Sequence, residues 1–263
     1  MSIFIRQQLT IALDLFQNGK IEEADLIARN VLTHNPKSAD ALHLRGVIAG
    51  LQNRHVEAES LFLAAASLDK KNHFIHFNLA KALREQGRDK ESLKWHRKAL
   101  QLDSRHAEAW LNYGLSLNKL GDLKGAMSAF NRALAINNRL AEGYTSKGNC
   151  LREMGALDEA LSFHDRAVEL NPSLADAWND RGNALNDLKR HEEALASYER
   201  AIKLKPDFAE AWSNRGNALN DLKRHEEALA SYDRAIELKP DYAEAWSNRG
   251  NALNDLKRHE EAL

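Results

Sequence analysis

The stretch WSNRGNALNDLKRHEEALASY, Trp212 to Tyr232, restarts at Trp246 and runs in the same letters to Leu263. Its asparagines repeat as faithfully as its apolar residues. Stepping back from Trp212 by the same 34 residues gives Trp178, Tyr144, Trp110, His76, Leu42 and Gln8, with no slip in register. A period of this length marks a solenoid, in which each unit buries its apolar face only against its neighbours. The units run 5–38, 39–72, 73–106, 107–140, 141–174, 175–208 and 209–242, followed by a truncated eighth at 243–263. Because Leu263 falls a few residues into the second helix of the eighth unit, the chain is expected to be a fragment, with an end that frays or through which two copies associate.

Each unit carries two apolar patterns of helical period. In 175–208, Ala177, Trp178, Gly182, Ala184, Leu185 and Leu188 mark one face, and Ala194, Leu195, Tyr198, Ala201, Ile202 and Leu204 mark another. The fold class is therefore all-α, built of antiparallel helix pairs. Gly46, Gly114, Gly148, Gly182, Gly216 and Gly250 recur in first helices, where helix backbones are expected to approach. Gly19, Gly87, Gly121 and Gly155 fall between the helices, where a left-handed residue ends the first one. Lys189, Lys223 and Lys257 take that place later in the chain, and retention of the geometry would strain each by roughly 1–2 kcal/mol. Pro36, Pro172, Pro206 and Pro240 stop second helices, and Asp207 and Asp241 can cap the helices that follow.

The composition is globular: 43% of the 263 residues are hydrophobic, enough for a core. A formal charge of −1 provides no overall field for nucleic acid or acidic lipid. Arg6, Gln7 and Gln8 interrupt the apolar start, no apolar run reaches membrane-spanning length, and the single cysteine cannot form an internal disulfide. These features point to a cytoplasmic protein with neither nucleic acid nor membrane as partner.

Trp, Gly and Leu in the first helix, then Ala, an aromatic and Ala in the second, with a closing Pro, resemble the tetratricopeptide repeat family from Ile5 onward. The pattern departs from the family at Arg45, Arg181, Arg215 and Arg249, where Leu is usual, and at Lys70, Ser104 and Asn138, where Pro is usual. The resemblance implies a right-handed superhelical solenoid whose first helices line a concave surface.

The asparagines fall on one face of the first helix. Asn214, Asn217, Asn220 and Asp221 cluster away from Trp212, Gly216 and Leu219, which makes theirs the face expected to be exposed. Asn is a poorer helix former than Lys, Glu or Gln, but its amide offers a donor and an acceptor side by side. Such a pair can hold the main chain of an extended peptide without reading its side chains. Candidate peptide-binding residues are Asn78, Asn112, Asn149, Asp180, Asn183, Asn214, Asn217, Asn248 and Asn251. Among them Asn78, Asn112, Asn214 and Asn248 resemble the asparagine ladder in the repeat region of bacterial and other O-linked N-acetylglucosamine transferases, a series that Ser146 and Asp180 break. That resemblance implies that the ladder holds substrate while a separate domain performs glycosyl transfer. The plainer explanation of the repeated asparagines is recent duplication of a solvated face.

Catalytic, metal and cofactor sites are not indicated. His55, His191, His225 and His259 recur one per repeat and cannot converge on one ion. His76 replaces the usual Trp and is assigned to packing. Cys150 falls where other units have Ala or Ser, and reads as a small buried residue. Leu111, Asn179, Ser213 and Ser247 occupy the positions of a carboxylate-clamp lysine, which disfavours capture of chaperone tails. Three functions follow: a non-enzymatic scaffold for a protein or peptide segment, the substrate-recruiting arm of a larger glycosyltransferase, or a self-association module.

Overall fold

The computed structural model describes residues 3–258. Two compact units divide the chain, residues 1–136 and 137–263, and each is described by itself. In the first lie α1 (Ile3–Gln17), α2 (Ile21–His34), α3 (Ala39–Leu51), α4 (His55–Leu68), α5 (His73–Glu85), α6 (Asp89–Leu102), α7 (Ala107–Lys119) and α8 (Leu123–Ile136). In the second lie α9 (Ala141–Glu153), α10 (Leu157–Leu170), α11 (Ala175–Asp187), α12 (His191–Leu204), α13 (Ala209–Asp221), α14 (His225–Leu238) and α15 (Ala243–Asp255). All regular structure among the described residues is helical. Within each unit odd-numbered helices pair with the even-numbered ones that follow, and each pair packs on the next. His259 and the expected second helix of the eighth repeat lie outside the described residues.

The turn inside each pair is set by one left-handed residue. Gly19, Gly87, Gly121 and Gly155 have φ between 74° and 81°. Lys189, Lys223 and Lys257 keep the same geometry at φ 61–63°, and Asn53 joins them at φ 57°. The next residue donates its N–H back to the last turn, as in Arg190 to Leu185 O and Arg224 to Leu219 O, both at 2.9 Å. This is the Schellman closure, and it satisfies carbonyls that the helix end would otherwise orphan. At the starts of α13 and α15, Phe208 and Tyr242 are the caps and make no side-chain cap bond, so Asp207 and Asp241 do not play the capping role expected of them.

The first-helix glycines make room for a ring rather than for a backbone. A Cβ on Gly46, Gly114, Gly182 or Gly216 would come within 2.5 Å of Phe62, Phe130, Tyr198 or Tyr232, each on the following second helix. Gly148 faces His164 in the same way, at 2.6 Å. The ring is thus clamped against the helix backbone, with the alanines of its own helix, such as Ala194 and Ala201, fully buried.

The tryptophan position also has a specific bond. The indole N–H groups of Trp110, Trp178, Trp212 and Trp246 donate to the carbonyls of Ser104, Pro172, Pro206 and Pro240 at 2.9–3.0 Å. His76 Nε2 reaches Lys70 O at 3.0 Å, and the Tyr144 hydroxyl reaches Asn138 O at 3.3 Å. Because a carbonyl only accepts, His76 carries its proton on Nε2. His and Tyr can replace Trp there because each offers a flat ring with a donor at its far edge.

The arginines at the family's usual Leu position tie second helices together. Arg181 pairs with Asp165 of α10 at 2.7 Å and donates to Ser197 of α12 at 2.7 Å. Arg215 repeats the pattern with Glu199 and Ser231, and Arg249 pairs with Asp233.

Candidate functional site

In the unit 137–263 the face shared by α9, α11, α13 and α15 carries most of the expected binding residues. They are half-buried rather than free: adjacent first helices cover the face, and of the candidates there only Asn251 is exposed. Asn179, next to Asp180, is buried at 2% exposure. The amides bond across repeats. Asn214 donates to Asn179 Oδ1 at 3.0 Å, Asn248 donates to Asn217 Oδ1 at 2.9 Å, and Asn149 donates to Asp180 Oδ2 at 2.7 Å. Asn179 in turn approaches Glu210 Oε1 at 3.5 Å.

The remaining amides serve the clamped rings and the helix starts. The Tyr198 hydroxyl donates to Asn183 Oδ1 at 2.9 Å, and that of Tyr232 to Asn217 Oδ1 at 2.8 Å. Burial raises both phenols above their ordinary pKa, so they stay protonated donors. Asn186 and Asn220 bond the Nδ1 of His191 and His225 at 2.8 and 2.7 Å. Asn179, Asn183, Asn186, Asn214, Asn217, Asn220 and Asn248 thus all have internal partners, and solvation of an exposed face does not describe their surroundings.

Repeat 141–174 breaks this pattern at its ring. His164 stands where Tyr198 and Tyr232 stand, is fully buried, and has no hydrogen-bond partner at either nitrogen. It lacks the far-reaching hydroxyl, and Asn149 Oδ1 is buried without a partner. Burial, with Arg152 and Arg181 adding to it, drives the His164 pKa down to about 4. Asp180 moves the other way: burial raises its carboxyl to about 6, against the Asn149 bond and with Glu210 adding to the rise.

In the unit 1–136 the corresponding face is different. Asn78 meets His43 Nε2 at 2.8 Å, and Asn112 donates back to Glu108 O of its own helix at 2.8 Å. A groove of about 750 Å³ lies along α1 and α3, floored by Leu9, Leu13, Phe16, Leu44 and Val47, with Arg6 and Asp40 at its rim. The ring position holds Phe62, His96 and Phe130. His96 is fully buried with both nitrogens unpartnered, and burial, with Arg84 and His106 adding to it, lowers its pKa to about 3.

Neither His96 nor His164 stands out from periodicity, because an aromatic ring is ordinary at that position. The coincidence of Tyr with Asn fifteen residues earlier, in 183/198 and 217/232, is the signal that identifies the internal bond. Cys150 is fully buried on α9, as its small neighbours in other repeats imply. Among the described residues no group of three or more His, Cys, Asp or Glu could hold a metal ion, and no helix is long and apolar enough to cross a membrane.

Sequence profiles described as tetratricopeptide repeat match residues 9–73, 97–141, 78–103 and 141–174, and one described as TPR repeat matches 182–222 and 216–257. The chain belongs to the tetratricopeptide repeat family, whose members are all-α superhelical repeat proteins. A chain of the APC/C hetero-tetramer Cut9-Hcn1 is similar with a TM-score of 0.83 at 17% identity, over 92% of this chain and 48% of that one. The present chain therefore spans about half the length of that relative. A tetratricopeptide repeat protein from Parabacteroides merdae is similar with a TM-score of 0.75 at 18% identity, over 95% of this chain and 99% of that one. YrrB, described as a TPR protein with an unusual peptide-binding site, is 28% identical with a TM-score of 0.53, over 70% of this chain and 95% of that one. No curated protein matches the chain.

Proposed function

We propose that the protein is a non-enzymatic scaffold that holds an extended protein or peptide segment along its first helices. Asn149, Asp180, Asn183, Asn214, Asn217, Asn248 and Asn251 form the binding row in one unit, and Asn78 and Asn112 contribute in the other. The observation that carries this reading is the set of bonds from one first helix to the next, Asn214 to Asn179 and Asn248 to Asn217. Each such bond uses one amide hydrogen of the donor and leaves its other hydrogen and its oxygen available. A fixed amide gives up little entropy when a peptide main chain binds to it. The peptide-binding site attributed to YrrB, at 28% identity, supports the same class of ligand.

A substrate-recruiting role for a glycosyltransferase would use the same row, and its support is confined to the asparagine pattern. A self-association module would instead leave the row without a peptide ligand. The test is binding of unstructured peptides to the parent and to Asn214→Ala/Asn248→Ala, with exposed Lys223→Ala/Glu226→Ala as control. At about 0.5–1.5 kcal/mol per hydrogen bond, the ladder variant should lose roughly 1–3 kcal/mol of affinity and the control almost none. Equal affinity in all three proteins overturns the reading.

A further inference from the structure

Asp180 stands where Asn214 and Asn248 stand in the next two repeats, and it reverses the rung to which it belongs. Asn248 gives its amide hydrogen to Asn217 of the preceding first helix. At the corresponding pair Asn149, on the preceding helix, gives its hydrogen to Asp180 Oδ2. An amide can both give and take hydrogen bonds, whereas an ionised carboxylate only accepts. Among the described residues Asp180 Oδ1 receives no hydrogen bond. Glu210 and Asp176 add negative potential around it, and the one opposing cation, Arg152, is itself held by Asp187 at 3.2 Å.

We propose that Asp180 sets side-chain specificity within the binding row, selecting segments that place a Lys or Arg at its rung. The cationic N–H donates to Asp180 Oδ1 while the asparagines of the neighbouring rungs hold the main chain. The proposal rests on the scaffold reading above. A rung that only accepts rejects a carbonyl or a carboxylate, so one substitution turns a sequence-tolerant row into one that reads charge. Glu210, Asp176 and Arg152 are the charged groups around Asp180, and its carboxyl, raised to about 6 chiefly by burial, is ionised at neutral pH and protonates as pH falls through that value. The preference for cations is therefore strongest above pH 7 and fades below pH 6.

The test uses the full chain and an array of unstructured peptides made in pairs, each Lys-bearing member matched by a copy with the lysines acetylated. Hydrogen bonds to charged groups predict that the best Lys-bearing members bind about tenfold to a hundredfold tighter than their acetylated copies. Asp180→Asn, which installs the residue of the neighbouring repeats, should erase that difference between the Lys-bearing members and their acetylated copies. A cation preference that survives in Asp180→Asn overturns the assignment to Asp180 and leaves the scaffold reading standing. Failure of any array member to bind the parent chain overturns both. A melting curve of the variant matching that of the parent confirms that the comparison is between folded proteins.

Discussion

Residues 1–136 and 137–263 build the same helix pairs, yet they fill one pair of facing positions differently. In the first unit Val47 accompanies Phe62 and Leu115 accompanies Phe130, apolar with apolar. In the second, Asn183 accompanies Tyr198 and Asn217 accompanies Tyr232, and each pair is joined by a hydrogen bond. A buried hydroxyl needs an acceptor and a phenyl ring does not, so the two positions change together. The surface follows from that choice: an apolar groove along α1 and α3, an amide row along α9, α11, α13 and α15. His96 and His164 depart from both solutions, as rings with polar atoms and no partner.

The largest expected effect comes from these histidines. Their pKa values are about 3 and about 4 in the folded protein, against about 6.5 in an unfolded chain. A base whose folded pKa is depressed binds more protons when unfolded, so its contribution is complete above pH 6.5 and is lost as pH falls toward the folded values. At about 1.4 kcal/mol per pH unit, His96 and His164 should remove on the order of 5 and 3 kcal/mol by pH 3–4. Hydrogen exchange at pH 5 should reveal opening first in α5–α6 and α9–α10. His164→Tyr supplies a hydroxyl within the same ring site and a donor for Asn149 Oδ1, and should abolish the loss in α9–α10. Unchanged acid exchange in that variant would count against the histidine as its source.

Next in size is loss of a clamped ring. Tyr198→Ala should cost about 3–5 kcal/mol, as other buried aromatic truncations do, with exchange accelerating in α11–α13 and little change in distant repeats. Uniform loss of protection across residues 137–258 would instead indicate a single cooperative core.

A smaller effect tests the pairing itself. Tyr198→Phe alone removes the donor to Asn183 and should cost about 1–2 kcal/mol, whereas Tyr198→Phe with Asn183→Val copies the Phe62–Val47 pair of the first unit and should recover most of it. Denaturant titration of the four proteins measures the coupling, and a coupling near zero would separate the asparagine from the tyrosine.

The smallest difference lies in the turns. Gly87 and Gly121 close turns in the first unit, while Lys189 and Lys223 hold left-handed geometry in the second. Lys189→Gly should stabilise by about 0.5–1 kcal/mol, and Gly121→Lys should destabilise by a similar amount, both read from denaturant midpoints.

The sequence by itself determined the period, the helix pairs and the left-handed positions, lysines included. Those features arise from local spacing: a turn closes over five residues, and an apolar stripe depends only on neighbours three and four positions away. Asn53 escaped the same reading because its repeat has neither the Gly nor the Lys found elsewhere at that position. The tertiary structure decided what each asparagine does, because its partner lies 15, 31 or 35 residues away, as in Asn183–Tyr198, Asn217–Asn248 and Asn179–Asn214. Periodicity places an amide on a face and cannot say whether water or the next first helix covers it. It likewise placed the small residues but pointed to an approach of helix backbones there, where the packed structure seats a ring. At His96 and His164 only the packed structure decides the chemistry, since the same aromatic position must bury whatever polar atoms the ring carries.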